Sequence, residues 1–134
     1  MTFLKTTACA AIILLAFAAP AAAKDKDKKQ IHVHNCAGAK VTVCVYNGGD
    51  ILKAGALHRA YLKKGEEKSF KCKGNGKHRC KLYVVEETGN ACPLDVGKKS
   101  INVPFNANAY VGRKDGKADG KFLADVGNKG HCVE

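Results

Sequence analysis

Six cysteines, spread from Cys36 to Cys132, constrain this chain more than any other feature. Cys36, Cys44, Cys72, Cys80, Cys92 and Cys132 all follow an opening stretch that holds a seventh, Cys9. Residues 1–23 join one early base, Lys5, to an apolar run over 8–19 and to the small residues Ala21, Ala22 and Ala23. That is the pattern of a secretory signal peptide, too short and too weakly flanked for a transmembrane helix. Cleavage before Lys24 leaves an even set of cysteines in a secreted or periplasmic chain, which reads as a disulfide framework. There is no C-x-x-C pair to favour structural zinc, and no cofactor is expected.

The rest of the chain reads as one all-β domain over residues 31–134. Residues 24–30 carry no apolar side chain and are expected to be a disordered charged tail. From Ile31 onward, short alternating runs are broken by glycines. Val41, Val43 and Val45 share one face of a strand, with Thr42, Cys44 and Tyr46 opposite, and Asn47-Gly48-Gly49-Asp50 ends it. Residues 51–62 are ambiguous: Leu57 and Tyr61 are four apart and Asp50 could cap a short helix, which Gly55 weakens. Further strands are expected at 100–105, 109–111 and 121–126. The pattern predicts a small disulfide-stapled antiparallel β-sandwich or barrel, with at most one short helix.

Charge is concentrated. Without Lys5, 22 bases face 12 acids, a net of +10. Residues 53–81 hold ten of those bases against Glu66 and Glu67, a net of +8. Within them, 68–73 and 79–85 are expected to form a hairpin around Gly74-Asn75-Gly76. If Cys72 faces Cys80, then Phe70 faces Leu82 and the apolar set is coherent. A Cys72–Cys80 disulfide follows as the one pairing proposed. A tight turn at 37–40 would pair Cys36 with Val41 and Val33 with Cys44, which argues against a Cys36–Cys44 bridge. On the other face of the hairpin, Lys71 would lie across from Lys81, Lys73 across from Arg79 and Ser69 across from Tyr83. Like charges in opposition cost stability. The functional reading is therefore a cationic plate, formed by Lys71, Lys73, Arg79, Lys81 and Tyr83, for an anionic polymer or membrane surface. The plainer reading is lysine protection of an edge strand against aggregation.

Catalytic signals are weaker. Ser69 and Ser100 are the only serines, and neither sits in G-x-S-x-G. His58 and His78, near the basic residues, supply the proton-transfer groups that a small secreted nuclease would need. His32 and His34 share a strand face and are the candidate metal ligands, although no third ligand is identifiable. The segment from Asp115 to Gly120 has Lys117 where a calcium loop needs an acid, and reads as a turn between strands. The expected function is a non-catalytic binding module docking on an anionic surface through the 68–85 hairpin. The alternatives are a nuclease, or an inhibitor or effector that recognises a protein partner through its loops.

Overall fold

The computed structural model describes residues 28–49, 55–85, 91–94 and 99–134. The proposed signal peptide, residues 24–27 of the proposed tail and the Asp50 cap lie outside them. The described chain forms β1 (Gln30–Asn35), β2 (Val41–Asn47), β3 (His58–Leu62), β4 (Glu67–Lys71), β5 (Arg79–Val84), β6 (Ile101–Pro104), β7 (Asn108–Arg113) and β8 (Phe122–Val126). Two four-stranded sheets pack face to face as a sandwich, not a closed barrel. Sheet I has the order β4-β1-β7-β8 and sheet II the order β3-β2-β5-β6. Every neighbouring pair is antiparallel except β1 and β7, which run parallel. Gln30, expected in the tail, opens β1.

The core follows from alternation. Ile31 and Val33 point inward from β1, and Val41, Val43 and Val45 from β2. Leu62, Phe70, Leu82, Val103 and Val111 complete the inner layer from five other strands. β2 is buried on both faces, because Cys44 and Tyr46 on its outer side form a second small cluster with Val85, Tyr83 and Cys92. The helix considered around Leu57 and Tyr61 is not formed: both side chains are exposed, and Tyr61 belongs to β3. Alternation of Ala60 and Leu62 inward with Arg59 and Tyr61 outward outweighed the i, i+4 pair.

The expected 68–85 hairpin is also absent, since β4 and β5 lie in different sheets. Ile31 is opposite Phe70, and Leu82 lies between Val45 and Ile101. Period-2 alternation specifies which face a residue takes but not which strand it pairs with, so the pattern was right and the partner wrong. The same holds at 37–40, where the chain crosses from sheet I to sheet II instead of making a hairpin. Asn35 fixes that crossing from a buried position. Its Nδ2 donates to the carbonyls of Ala39 (2.7 Å), Lys63 (2.9 Å) and Leu62 (3.1 Å), while its Oδ1 accepts from the Ala37 N–H at 3.0 Å.

Three disulfides join separate layers. Cys72–Cys80 forms as expected, but it ties the end of β4 in sheet I to β5 in sheet II. Cys44–Cys92 straps the 91–94 segment over the outer face of sheet II, where the Tyr46 hydroxyl donates to the Pro93 carbonyl at 2.6 Å. Cys36–Cys132 holds the C-terminal segment against sheet I. Gly112 makes room there, since a Cβ on it would stand 2.2 Å from the His131 carbonyl oxygen. These intramolecular bridges are consistent with an oxidising compartment, extracellular or periplasmic. Among the described residues, no helix is long and apolar enough to cross a membrane.

Candidate functional site

β3 and β4 are the neighbouring edge strands on one side of the sandwich. Their inner residues Ala60, Leu62 and Phe70 are buried, so the core is sealed there. Outside the seal runs an open groove of about 500 Å³, lined by Leu57, His58, Arg59 and Ala60 from the β3 side and by residues 68–71 of β4. Among the described residues, Arg59, Lys68 and Lys71 are its cations, and no carboxylate lines it. Among the described residues, the ion pairs involve histidines only, His34 with Glu67 at 3.4 Å and His131 with Asp125 at 3.2 Å. The cations of the groove are therefore not neutralised by any described carboxylate.

Exposed aromatic surface adjoins these cations. The Tyr61 ring has the Lys40 ammonium 4.8 Å and the Arg59 guanidinium 5.2 Å from its centre, and Arg59 also donates to the Tyr61 hydroxyl. Lys68 lies 5.8 Å from the centre of the Phe70 ring. Two cations on one tyrosine repel each other unless screened by solvent or by an anion. The Lys63–Glu66 turn between the strands is held by the Lys63 N–H donating to Glu66 Oε2 at 2.7 Å, which commits that acid to the backbone.

Of the five residues expected to form a cationic plate, only Lys71 lies in this groove. Lys73 lies beyond the end of β4, its N–H donating to Asn47 Oδ1 at 2.7 Å. Arg79 begins β5 opposite Pro104. Lys81 is buried on the outer face of sheet II, between Tyr46 and Asn102. Tyr83 pairs with Cys44 and joins the small outer cluster, while Ser69 lies opposite His32 and Lys71 opposite Gln30. The plate fails because its two strands never meet. Arg59 and Lys68, counted in the basic segment but assigned no role, are the residues that sequence reasoning missed.

The histidines separate in the same way. His58 is in the groove, and its Nε2–H donates to the Lys71 carbonyl at 2.7 Å, so that nitrogen holds β3 to β4. His78 lies on the β4–β5 connection at a positive φ of 50°, edge-on to Phe105. His32 and His34 do share the outer face of sheet I, where β1 lies between β4 and β7. There His32 Nδ1 bonds with Ser69 Oγ at 2.7 Å, and His34 Nε2–H donates to Asn108 Oδ1 at 2.9 Å while its ring stacks on Tyr110. Among the described residues, no three histidines, cysteines or acids converge as a metal site.

No protein-family model matches this chain, no curated protein is similar to it, and no solved structure matches its fold. Its function is therefore read from the chemistry of its surface.

Proposed function

We propose that this protein is a secreted, non-catalytic binding module that holds a linear polyanion in the groove between β3 and β4. The observation that carries this reading is the set of Arg59, Lys68 and Lys71 along one groove, with no carboxylate among the described residues of its walls. Polyanion binding through such cations draws on counterion release and weakens steeply with salt. A groove also favours a chain over a plane: a polymer enters between two strand edges, whereas a bilayer surface meets only their rims. Edge protection by lysine accounts for charge on each strand separately. It does not account for Lys40 and Arg59 gathering on Tyr61.

The test is salt-gradient elution from a sulfated or phosphorylated polysaccharide matrix. Arg59→Glu with Lys71→Glu is expected to elute at markedly lower salt, with the slope of log affinity against log salt reduced by about 2. Lys81→Gln, remote from the groove, is expected to elute like the parent. An unchanged profile from the folded double variant sinks the proposal, and retention on anionic vesicles but not on soluble polymer replaces it with a membrane role.

The nuclease reading retains one observation in its favour, which is that His58 lines the same groove as the cations. Labelled single-stranded RNA incubated with the oxidised protein separates the two. Binding without cleavage supports the module, and cleavage lost in His58→Ala supports the enzyme.

A further inference from the structure

The opposite edge of the sandwich, between β6 and β8, is closed far less completely. β6 spans only Ile101–Pro104, and no residue of β8 is fully buried. Phe122 and Ala124 from β8 and Ile101 and Val84 from sheet II pack against the core yet remain partly accessible. They surround a cavity of about 370 Å³ that reaches Leu82, a residue of the core itself. Among the described residues, the only charged one in its wall is Lys99, which is exposed just before β6. One wall is held in place from behind. The Arg113 guanidinium lies 4.3 Å from the centre of the Phe122 ring, and is anchored by donating to the carbonyls of Ala37 at 2.9 Å and Gly120 at 3.2 Å.

We infer that this cavity binds a single-chain amphiphile with an anionic head, the chain lying between Phe122, Ala124, Ile101 and Val84 and the head meeting Lys99. The volume lies in the range of small-ligand sites, roughly 300–1,000 Å³. Among the described residues, its side-chain walls offer a sugar or nucleotide few hydrogen-bonding groups beyond Lys99, since Tyr83 joins the outer cluster with Cys44 and Tyr46. A methylene chain needs none, and gains from every group removed from water. Lys99, with no carboxylate beside it among the described residues of the wall, favours a negative head over a positive one. This site is distinct from the basic groove, because β6 and β8 lie at the far end of both sheets from β3 and β4.

The probe is decanoate, titrated below its micelle concentration into the oxidised protein by calorimetry, with amide resonances followed in parallel. Saturable one-to-one binding that moves the Ile101 and Ala124 amides is expected. Ala124→Phe, which fills the cavity, is expected to weaken decanoate and decanol alike by at least about tenfold. Lys99→Gln, an exposed change that leaves the fold intact, is expected to weaken decanoate about threefold to fivefold and to leave decanol unchanged. Three outcomes overturn the inference: no saturable binding, decanoate binding indifferent to Lys99→Gln, or shifts confined to the Arg59–Lys71 groove. A dimer that Ala124→Phe disrupts and decanoate does not would assign the cavity to a second copy of the chain instead.

Discussion

At the β3/β4 edge, Ala60, Leu62 and Phe70 are buried and the cations Arg59, Lys68 and Lys71 line the groove outside them. At the β6/β8 edge, Ile101, Phe122 and Ala124 are only partly buried, and Lys99 is the single charge among the described residues of the wall. The two ends of one sandwich thus meet water in different ways. Where the edge strands close over the core, what remains outside is polar and suited to a charged chain. Where a four-residue strand and a half-buried one fail to close, the described side chains of the opening are mainly apolar, as the inferred hydrocarbon chain requires.

If this contrast is right, equivalent aromatic truncations should differ in cost. Phe70→Ala, at the sealed edge, is expected to lose about 3–5 kcal/mol of stability, as large core deletions do. Phe122→Ala, at the open edge, should lose about 1–2 kcal/mol, from partial burial and the Arg113 contact. Urea unfolding of both variants gives the comparison directly, and equal losses would mean that the open edge is as much a part of the core as the sealed one. The next effect in size belongs to Asn35, which ties the 37–40 crossing to the β3–β4 turn. Asn35→Ala leaves the Leu62 and Lys63 carbonyls and the Ala37 N–H without this partner, and should cost about 2–3 kcal/mol. Amide exchange would sharpen the assignment, with faster opening expected at β3 and β4 and little change at β6 and β8.

A control at neither edge comes from Tyr46, and its effect at neutral pH should be the smallest. Burial, with the Tyr83 phenol beside it, pushes Tyr46 from 10.0 up to about 12. The fold therefore favours the neutral phenol. That contribution is fully present below the unfolded value and is lost as pH rises from 10.0 through about 12. Ultraviolet titration should show a phenol ionising near pH 12 that disappears in Tyr46→Phe. A wild-type profile without that late step would show that the Cys92–Pro93 strap does not exclude water.

The faces of the strands were readable from sequence, and their neighbours were not. Val41, Val43 and Val45 announced one buried side of β2, and Cys44 with Tyr46 on the other side became a second cluster. The strands expected at 100–105, 109–111 and 121–126 formed as Ile101–Pro104, Asn108–Arg113 and Phe122–Val126. The hairpin failed because Phe70 and Leu82 would look inward equally well from one sheet or from two facing sheets. Cys72 and Cys80 could not decide the matter, since a bridge joins strands across layers as readily as along a ladder; here their Cα atoms are 5.8 Å apart. The candidate groove suffered from the same ambiguity. Lys71 was recognised, but Arg59 and Lys68 became its companions only through the pairing of β1 with β4 and β2 with β3. The β6/β8 cavity had no sequence signal beyond the brevity of one strand and the apolar run Phe122-Leu123-Ala124.

Cys36 and Cys132, 96 positions apart, enclose nearly the whole domain in one covalent ring. Tension applied at the two ends of the chain would load β1, which precedes Cys36, and would then run through the sulfur bridge to Cys132, bypassing β2 to β8. The seven strands inside the ring would carry load only where β1 pulls on β4 and β7, until that bridge is reduced. A machine that unravels proteins by pulling on a free end would therefore stall at the ring, even though the hydrogen-bonded ladders inside it are ordinary.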